Sequence, residues 1–449
     1  MRERRVVITG MGCVTPLGED VDAVWSKLLG GASAIGPVTL FDASTFATNF
    51  AAEVRGFDLR AVIGEEASRH ERAGRSTHFA LGAAARAWAQ AGLGPGAGSA
   101  PEGVDPRRVG VYLGAGEGPP DFENFSAANI AGWDEAARAV DGKAWARVAY
   151  ERLSKARELE QEPNMTVGRV AGAFGCRGPS FNCMTACAAS TQAVGEASEQ
   201  IRRGDADVML AGGAHSMIHP LGMTGFIRLT AMSTRRDDPA SASRPFDATR
   251  DGFVMGEGAG IVVLEELEHA LARGATPLAE IAGYGASADA FRITDIQPEG
   301  KGATSAMRQA CLQAGIDPTR PDDKGRAPVQ YVNAHGTGTQ ENDKIETAAV
   351  RATFGEMADK LLFGSVKSML GHLIQAAGAV ELITCVKAIQ TGMVPPTLNL
   401  KNPDPRCDLD HVAGEARDLN PSGGVDVCLS NSFGFGGQNN TVCVRRYEG

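Results

Sequence analysis

A cysteine, two histidines and a lysine sit in short glycine-flanked segments whose make-up suits acyl-group chemistry. Cys187 lies in GPSFNCMTACAASTQAVG, residues 178–195, which runs from a turn through a short apolar strand into an alanine-rich helix. A thiol at that junction meets the positive end of the helix dipole and unpaired backbone N–H groups, and both favour thiolate. Cysteines in such segments are also common as inert packing residues, the reading taken for Cys183. His335, in YVNAHGTGT at 331–339, follows an apolar strand on a glycine-rich turn, with Thr337 and Thr339 offering hydroxyls to a polar ligand. A loop histidine satisfied by backbone would look the same. SVKSMLGH at 365–372 brings Lys367 and His372 ahead of an Ala/Gly-rich helix. NSFGFGGQN at 431–439 is a glycine-dense turn carrying Phe433 and Phe435; it can aim N–H groups at an oxyanion or simply close a hairpin. A thiol, two imidazoles and an oxyanion turn together suit acyl transfer followed by carbon–carbon bond formation.

The elements that must position these groups have the period of an α/β protein. Short apolar, often glycine-bounded runs occur at 6–9, 109–114, 208–213 and 260–264, then at 279–285, 329–333, 361–366, 425–429 and 441–445. Such runs fit strands buried on both faces. Alanine-rich stretches with helical spacing lie between them, at 79–91, 191–203, 305–314 and 376–389. The two series read as two copies of one layout meeting near 270–276, so the chain divides into halves at 1–270 and 271–449. In α/β sheets, sites gather where strands end and helices begin, which is where all four motifs fall. Residues 134–160 are highly charged and read as one or two exposed amphipathic helices inserted in the first half.

Bulk properties exclude several classes. The 449 residues, 43% hydrophobic, are enough for a large core, and a net charge of −10 with mixed signs lacks the footprint of a nucleic-acid binder. Nine scattered cysteines without a CxxC pair argue against a disulfide framework or a zinc site. The basic start is followed by too short an apolar run for a signal peptide, and no stretch approaches the ~18 apolar residues of a membrane span. The composition reads as soluble and cytoplasmic.

TAC at Cys187, NAHGTGT at His335, KSMLGH at His372 and NSFGFGGQN around Phe433 resemble the β-ketoacyl-ACP synthases, especially the elongating type II enzymes. RRVVITGMGCVTPLG at 4–18, RPFDATRDGFVMGEGAG at 244–260 and the acidic residues Asp343 and Glu346 extend the likeness over nearly the whole chain. The resemblance implies a thiolase fold: two βαβαβαββ halves in a five-layer α-β-α-β-α sandwich, usually a homodimer. It implies an acyltransferase in which Cys187 takes an acyl group from acyl carrier protein. His335 and His372 then bind the malonyl thioester and promote loss of CO2, and the enolate attacks the acyl-cysteine. The amides of Cys187 and Phe435 would hold the oxyanion, and Phe433 and Phe435 would flank and gate the site. Lys367 would pair with Glu381, with Asp343 and Glu346 in support. Thr337 and Thr339 would contact the phosphopantetheine arm, and Phe226 the acyl chain. No metal or organic cofactor is implied.

Two features depart from that pattern. Glu117 stands at or near an apolar tunnel-floor position, where an unpaired carboxylate would be costly, and the 134–160 insertion follows soon after. Both point to a specialised polyketide or lipid pathway as an alternative to fatty-acid elongation. Gln375 replaces a common family glycine and is read as neutral variation. Arg69, Arg72, Arg75 and Arg228 fall near the family's basic rim for the acidic carrier protein, alongside the plain reading of scattered surface arginines. His372 argues against a thiolase or an initiating synthase. A subunit that works only with, or as, a chain-length partner in a heterodimer stands as the alternative.

Overall fold

The computed structural model describes residues 4–99, 101–116, 118 and 120–449. Ten strands form the framework. In the first half they are β1 (Val6–Val14), β2 (Val109–Ala115), β3 (Ser180–Cys183), β4 (Val208–His215) and β5 (Gly258–Glu266). In the second they are β6 (Ala279–Ala288), β7 (Tyr331–Asn333), β8 (Leu362–Gly364), β9 (Val427–Gly434) and β10 (Gln438–Arg445). β1, β4 and β5 are buried at every position, as their Val- and Gly-rich runs require of strands covered on both faces.

The two halves share one topology. The first runs β3-β2-β4-β5-β1 across its sheet and the second runs β8-β7-β9-β10-β6. In each, the first two contacts are parallel and the last two antiparallel. The sheets join through a short antiparallel ladder in which Val6, Val7 and Ile8 of β1 face Ile281, Glu280 and Ala279 of β6.

Six helices complete the layers: α1 (Arg75–Ala91), α2 (Asn164–Ala173), α3 (Ala189–Arg203), α4 (Lys301–Gln313), α5 (Asn342–Phe354) and α6 (Ala377–Thr391). α1 and α2 cover the outer face of the first sheet, and α4 leads α5 over the second. α3 and α6 pack on each other and touch strands of both sheets, forming the middle layer. The arrangement is the five-layer sandwich of the thiolase fold.

Paired glycines record the repeat at the level of atoms. A Cβ on Gly10 or Gly12 of β1 would lie 2.1 or 2.0 Å from the carbonyl of Ala87 or Ala83 on α1. A Cβ on Gly283 or Gly285 of β6 would lie 2.1 or 2.0 Å from the carbonyl of Ala310 or Ala306 on α4. Each half therefore presses an alanine-rich helix onto a Gly-x-Gly strand at a distance no side chain permits.

The inserted region is more varied than its charge pattern suggests. Helices Phe122–Gly132, Gly142–Arg152 and Lys155–Glu160 flank a two-stranded ribbon, Trp133–Asp134 with Ala139–Val140. The ribbon is too short and exposed to leave a period-2 signal.

Candidate active site

Cys187 sits where β3 has ended and α3 is about to begin, in the 3-10 turn Ala186–Ala188. Ala186 holds φ at +48°, a left-handed conformation that an L-residue adopts only under constraint. That turn swings the Cys187 sulfur toward the end of β9. Gly434 makes the approach possible, because a Cβ there would lie 2.5 Å from the Thr185 carbonyl and 3.4 Å from the Cys187 nitrogen.

The thiol's surroundings pull in opposite directions. Burial pushes it up to about 12; the Lys367 charge and the backbone N–H groups of Cys187 and Phe435 draw it down. The sequence pattern predicts thiolate, and the lowering groups are indeed present. They are outweighed because the sulfur is enclosed, which the sequence does not report. The resting nucleophile is a thiol with two amides aimed at it.

One ring nitrogen of His335, one of His372 and the Cys187 sulfur all lie within 4.8 Å of one another. The imidazoles meet edge to face, with centroids 5.4 Å apart. Both are held well below the ordinary histidine range, by burial first and by the Lys367 charge second, so both are neutral. The tautomer of His372 follows from its backbone: Ile374 N–H donates to Nδ1 at 3.2 Å, so Nε2 carries the proton. That Nε2–H is buried and has no partner among the described residues, which leaves a donor ready for a substrate oxygen.

Lys367 opens the short helix Lys367–Leu370 and pairs with Glu381 on α6, both side chains being 2% exposed. Its charge bears on the thiol and on both imidazoles. A thiol and two imidazoles at this spacing have the donor types of a transition-metal site. The ammonium beside them opposes a second cation, so the trio fits a metal poorly.

Two acidic residues hold the His335 turn. Glu346 on α5 accepts the N–H groups of His335 at 2.8 Å and Gly336 at 2.9 Å, and the Asn431 amide at 3.2 Å. Asp343 accepts the Phe246 N–H at 2.8 Å and the Gly338 N–H at 3.2 Å, and it faces Arg250 at 3.5 Å. Burial raises the carboxyl of Asp343 and takes that of Glu346 to about 7.

A cavity of about 310 Å³ leads from Cys187, His335, His372 and Phe433 out past Phe435, Thr337 and Thr339. The two threonine hydroxyls are 3.1 Å apart. Behind the cysteine, Ile218, Met223, Phe253 and Ile374 form an apolar cluster with the partly buried Phe226, whose ring meets Phe253 edge to face at 5.6 Å.

Comparison with known families covers most of the chain. Residues 3–270 match the beta-ketoacyl synthase N-terminal domain and 278–401 the C-terminal domain. The chain belongs to the β-ketoacyl synthase family. It is 42% identical, over 99% of each chain, to the 3-oxoacyl-[acyl-carrier-protein] synthase 2 of Coxiella burnetii, and 40% identical to the one of Synechocystis over 100% of this chain and 99% of that one. A β-ketoacyl synthase from Burkholderia phymatum superposes with a TM-score of 0.84 at 34% identity, covering 99% of this chain and 100% of that one. The ishigamide ketosynthase/chain length factor gives 0.83 at 31% with the same coverage.

Within this synthase the predicted site residues separate into groups. Cys187, His335, His372, Lys367, Glu381, Asp343, Glu346, Thr337, Thr339, Phe433 and Phe435 converge on one cleft or its supports. Glu117 lies outside the described residues. The four arginines do not form one set. Arg75 is engaged by the buried carboxylate of Glu257 through contacts of 2.7 to 3.1 Å and caps the Phe79 ring, with 36% of its side chain exposed. Arg69 is exposed and bonded to Glu66 at 3.1 Å; Arg72 and Arg228 are exposed.

Residues not singled out from sequence also build the site. Arg250, fully buried, bonds the carbonyls of Thr339 and Gln340 at 2.9 Å each and pairs with Asp404 at 2.7 Å. Its neighbours in the 244–260 motif, Thr249 and Asp251, are polar, so the sequence gives no local sign that this arginine is buried. Phe253, from the same motif, stands edge to face with His372 at 5.3 Å.

Proposed function

We propose that this chain is a 3-oxoacyl-[acyl-carrier-protein] synthase that joins an acyl group on Cys187 to a malonyl unit. The observation that carries the reading is the buried Cys187–His335–His372 trio, within 4.8 Å, with the amides of Cys187 and Phe435 on the sulfur. The incoming thioester carbonyl takes the place those amides face, and the Cys187 thiol attacks as its proton passes to a neutral imidazole nitrogen nearby. The carrier thiol leaves with a proton, and Cys187 becomes a thioester. Malonyl-carrier then binds with its thioester oxygen toward the Nε2–H of His372 and the His335 ring. Loss of CO2 leaves an enolate that these neutral donors stabilise without trapping it. Its carbon attacks the acyl-cysteine carbonyl, and collapse of the tetrahedral intermediate releases the 3-oxoacyl product and expels the sulfur as thiolate, which takes a proton from water to restore the resting thiol. The thioesters and departing CO2 supply the driving chemistry, so the reaction needs neither metal nor organic cofactor.

The partners follow the same reading. Arg69, Arg72 and Arg228 dock the acidic carrier protein, while Thr337 and Thr339 guide its phosphopantetheine arm. Phe226 lines the acyl chamber. β3 is a sheet edge with Phe181 and Met184 exposed, which supports a homodimer in which two such edges meet. No helix among the described residues is long and apolar enough to cross a membrane, and all nine cysteines are free, which supports a cytoplasmic setting.

Intact-protein mass after incubation with acyl-carrier donors tests the reading. Wild type gains one acyl group that disappears on adding malonyl-carrier as 3-oxoacyl product forms; Cys187→Ala gains none. An adduct on the Cys187→Ala variant, or none on wild type with any donor, overturns it.

A further inference from the structure

The turn that fixes His372 is strained, and nothing in the mechanism above explains what holds it. Ile374, the donor to His372 Nδ1, has φ at +44°, a conformation that a β-branched residue avoids. It opens the 3-10 turn Ile374–Ala376, between the histidine and α6. The next residue, Gln375, reaches across to the C-terminal end of β4, where its side-chain oxygen accepts from Nδ1 of His215.

His215 is 2% exposed and neutral, with its ring held down to about 4 by burial; its Nε2 has no partner among the described residues. The Gln375 carboxamide is confined on its other side by Gly116, at the exit of β2: a Cβ there would lie 2.3 Å from the Gln375 nitrogen. Three strand ends and turns therefore meet at this amide. One of them carries the N–H that sets the tautomer of His372.

We infer that Gln375 and His215 are positioning residues for His372. Their hydrogen bond anchors the strained Ile374 turn, keeping its N–H on Nδ1 and the Nε2–H in the cavity. The inference rests on the synthase reading, and it concerns only the step that uses His372. Acyl transfer to Cys187 relies on the amides of Cys187 and Phe435 and on an imidazole to take the thiol proton; Nε2 of His372 already carries one, so that role falls to His335, and all three lie on other segments. Loss of CO2 from malonyl-carrier relies on the donor at His372.

The two half-reactions give the test. Gln375→Leu keeps the side chain's bulk and removes its acceptor; Gly116→Ala leaves Gln375 in place and pushes its amide aside. In both, Cys187 acylation by acyl-carrier, followed by intact mass, stays within about 2-fold of wild type. The kcat for malonyl-carrier decarboxylation falls on the order of 10- to 100-fold at unchanged KM, the scale expected when a reacting group is displaced by about an ångström. Gln375→Glu, which restores an acceptor for His215 Nδ1, recovers most of that rate. Decarboxylation that falls no more than acylation in the first two variants overturns the inference, as does Gln375→Glu being as slow as Gln375→Leu. Wild type that takes no acyl group at all fails the synthase reading instead, so the two failures are distinct.

Discussion

Glu346 receives the backbone N–H groups of both His335 and Gly336, at 2.8 and 2.9 Å, so one buried carboxylate fixes the turn that carries an active-site imidazole. Glu346→Ala leaves both donors buried and unpaired, and destabilises the fold by about 2–6 kcal/mol at roughly 1–3 kcal/mol per orphaned group. The carboxyl titrates near 7 in the fold, above its ordinary value of 4.5. The native state therefore binds a proton that the unfolded chain has released between those pH values. Stability lent by that proton is present at low pH and lost as pH rises toward 7. Urea unfolding of both proteins should show a deficit that narrows from pH 5 to pH 7.5. A deficit that widens over that range contradicts the raised carboxyl.

The Lys367–Glu381 pair sets charge at the centre of the site. Lys367→Met strands a buried carboxylate, which typically destabilises by about 3–5 kcal/mol. Adding Glu381→Leu removes the stranded charge, and the double variant returns to within about 1 kcal/mol of wild type, since an apolar replacement for a buried pair is often neutral. Condensation does not return, because the charge that lowers the thiol is absent. Thermal unfolding and condensation rate, measured together, separate the two roles. A double variant with wild-type condensation would make the pair purely structural.

The pH dependence of condensation follows from the neutral imidazoles. His335 and His372 both titrate well below 6.5 in the fold. The unfolded chain binds protons below that pH and the native chain does not, so these two groups withdraw stability as the medium is acidified. Their catalytic form, by contrast, persists. The kcat for condensation should show no acid inflection between pH 6 and 7. An inflection there that is absent from Cys187 acylation and persists in Glu346→Gln, which removes the carboxyl titrating near 7, would mean that one imidazole is solvated and charged at neutral pH.

Local pattern made much of this molecule legible. The apolar runs at 109–114 and 208–213 became β2 and β4 with nearly the same bounds, because strands covered on both faces leave a continuous hydrophobic signature. The cleft residues were legible because each stands on a short motif at a strand end. What escaped depends on distant partners. Arg75 reads as a surface charge until Glu257, 182 positions away, is seen to hold it. Gln375 reads as neutral until His215, 160 positions away, is placed against it. The thiol's protonation is hard to read for a related reason: a helix terminus is visible in sequence, whereas the enclosure that outweighs it comes from loops of both halves.

Gly434 gives the most local test of the oxyanion site. Its backbone already fits an L-residue's strand geometry, since its φ is not positive. An added methyl would nonetheless lie 2.5 Å from the Thr185 carbonyl, a backbone atom that cannot swing away as a side chain could. Gly434→Ala must therefore separate the end of β9 from the Cys187 turn, moving the Phe435 N–H off the sulfur. Losing one well-aimed oxyanion donor slows acyl transfer by roughly 10²–10³-fold. The acylation rate of Cys187 should fall by that order, measured by quenched-flow mass analysis. Unhindered alkylation of the same thiol by iodoacetamide, which forms no oxyanion, should change far less. Equal losses in both reactions would mean that the methyl blocks access to the sulfur, and the Phe435 amide would lose its assigned role.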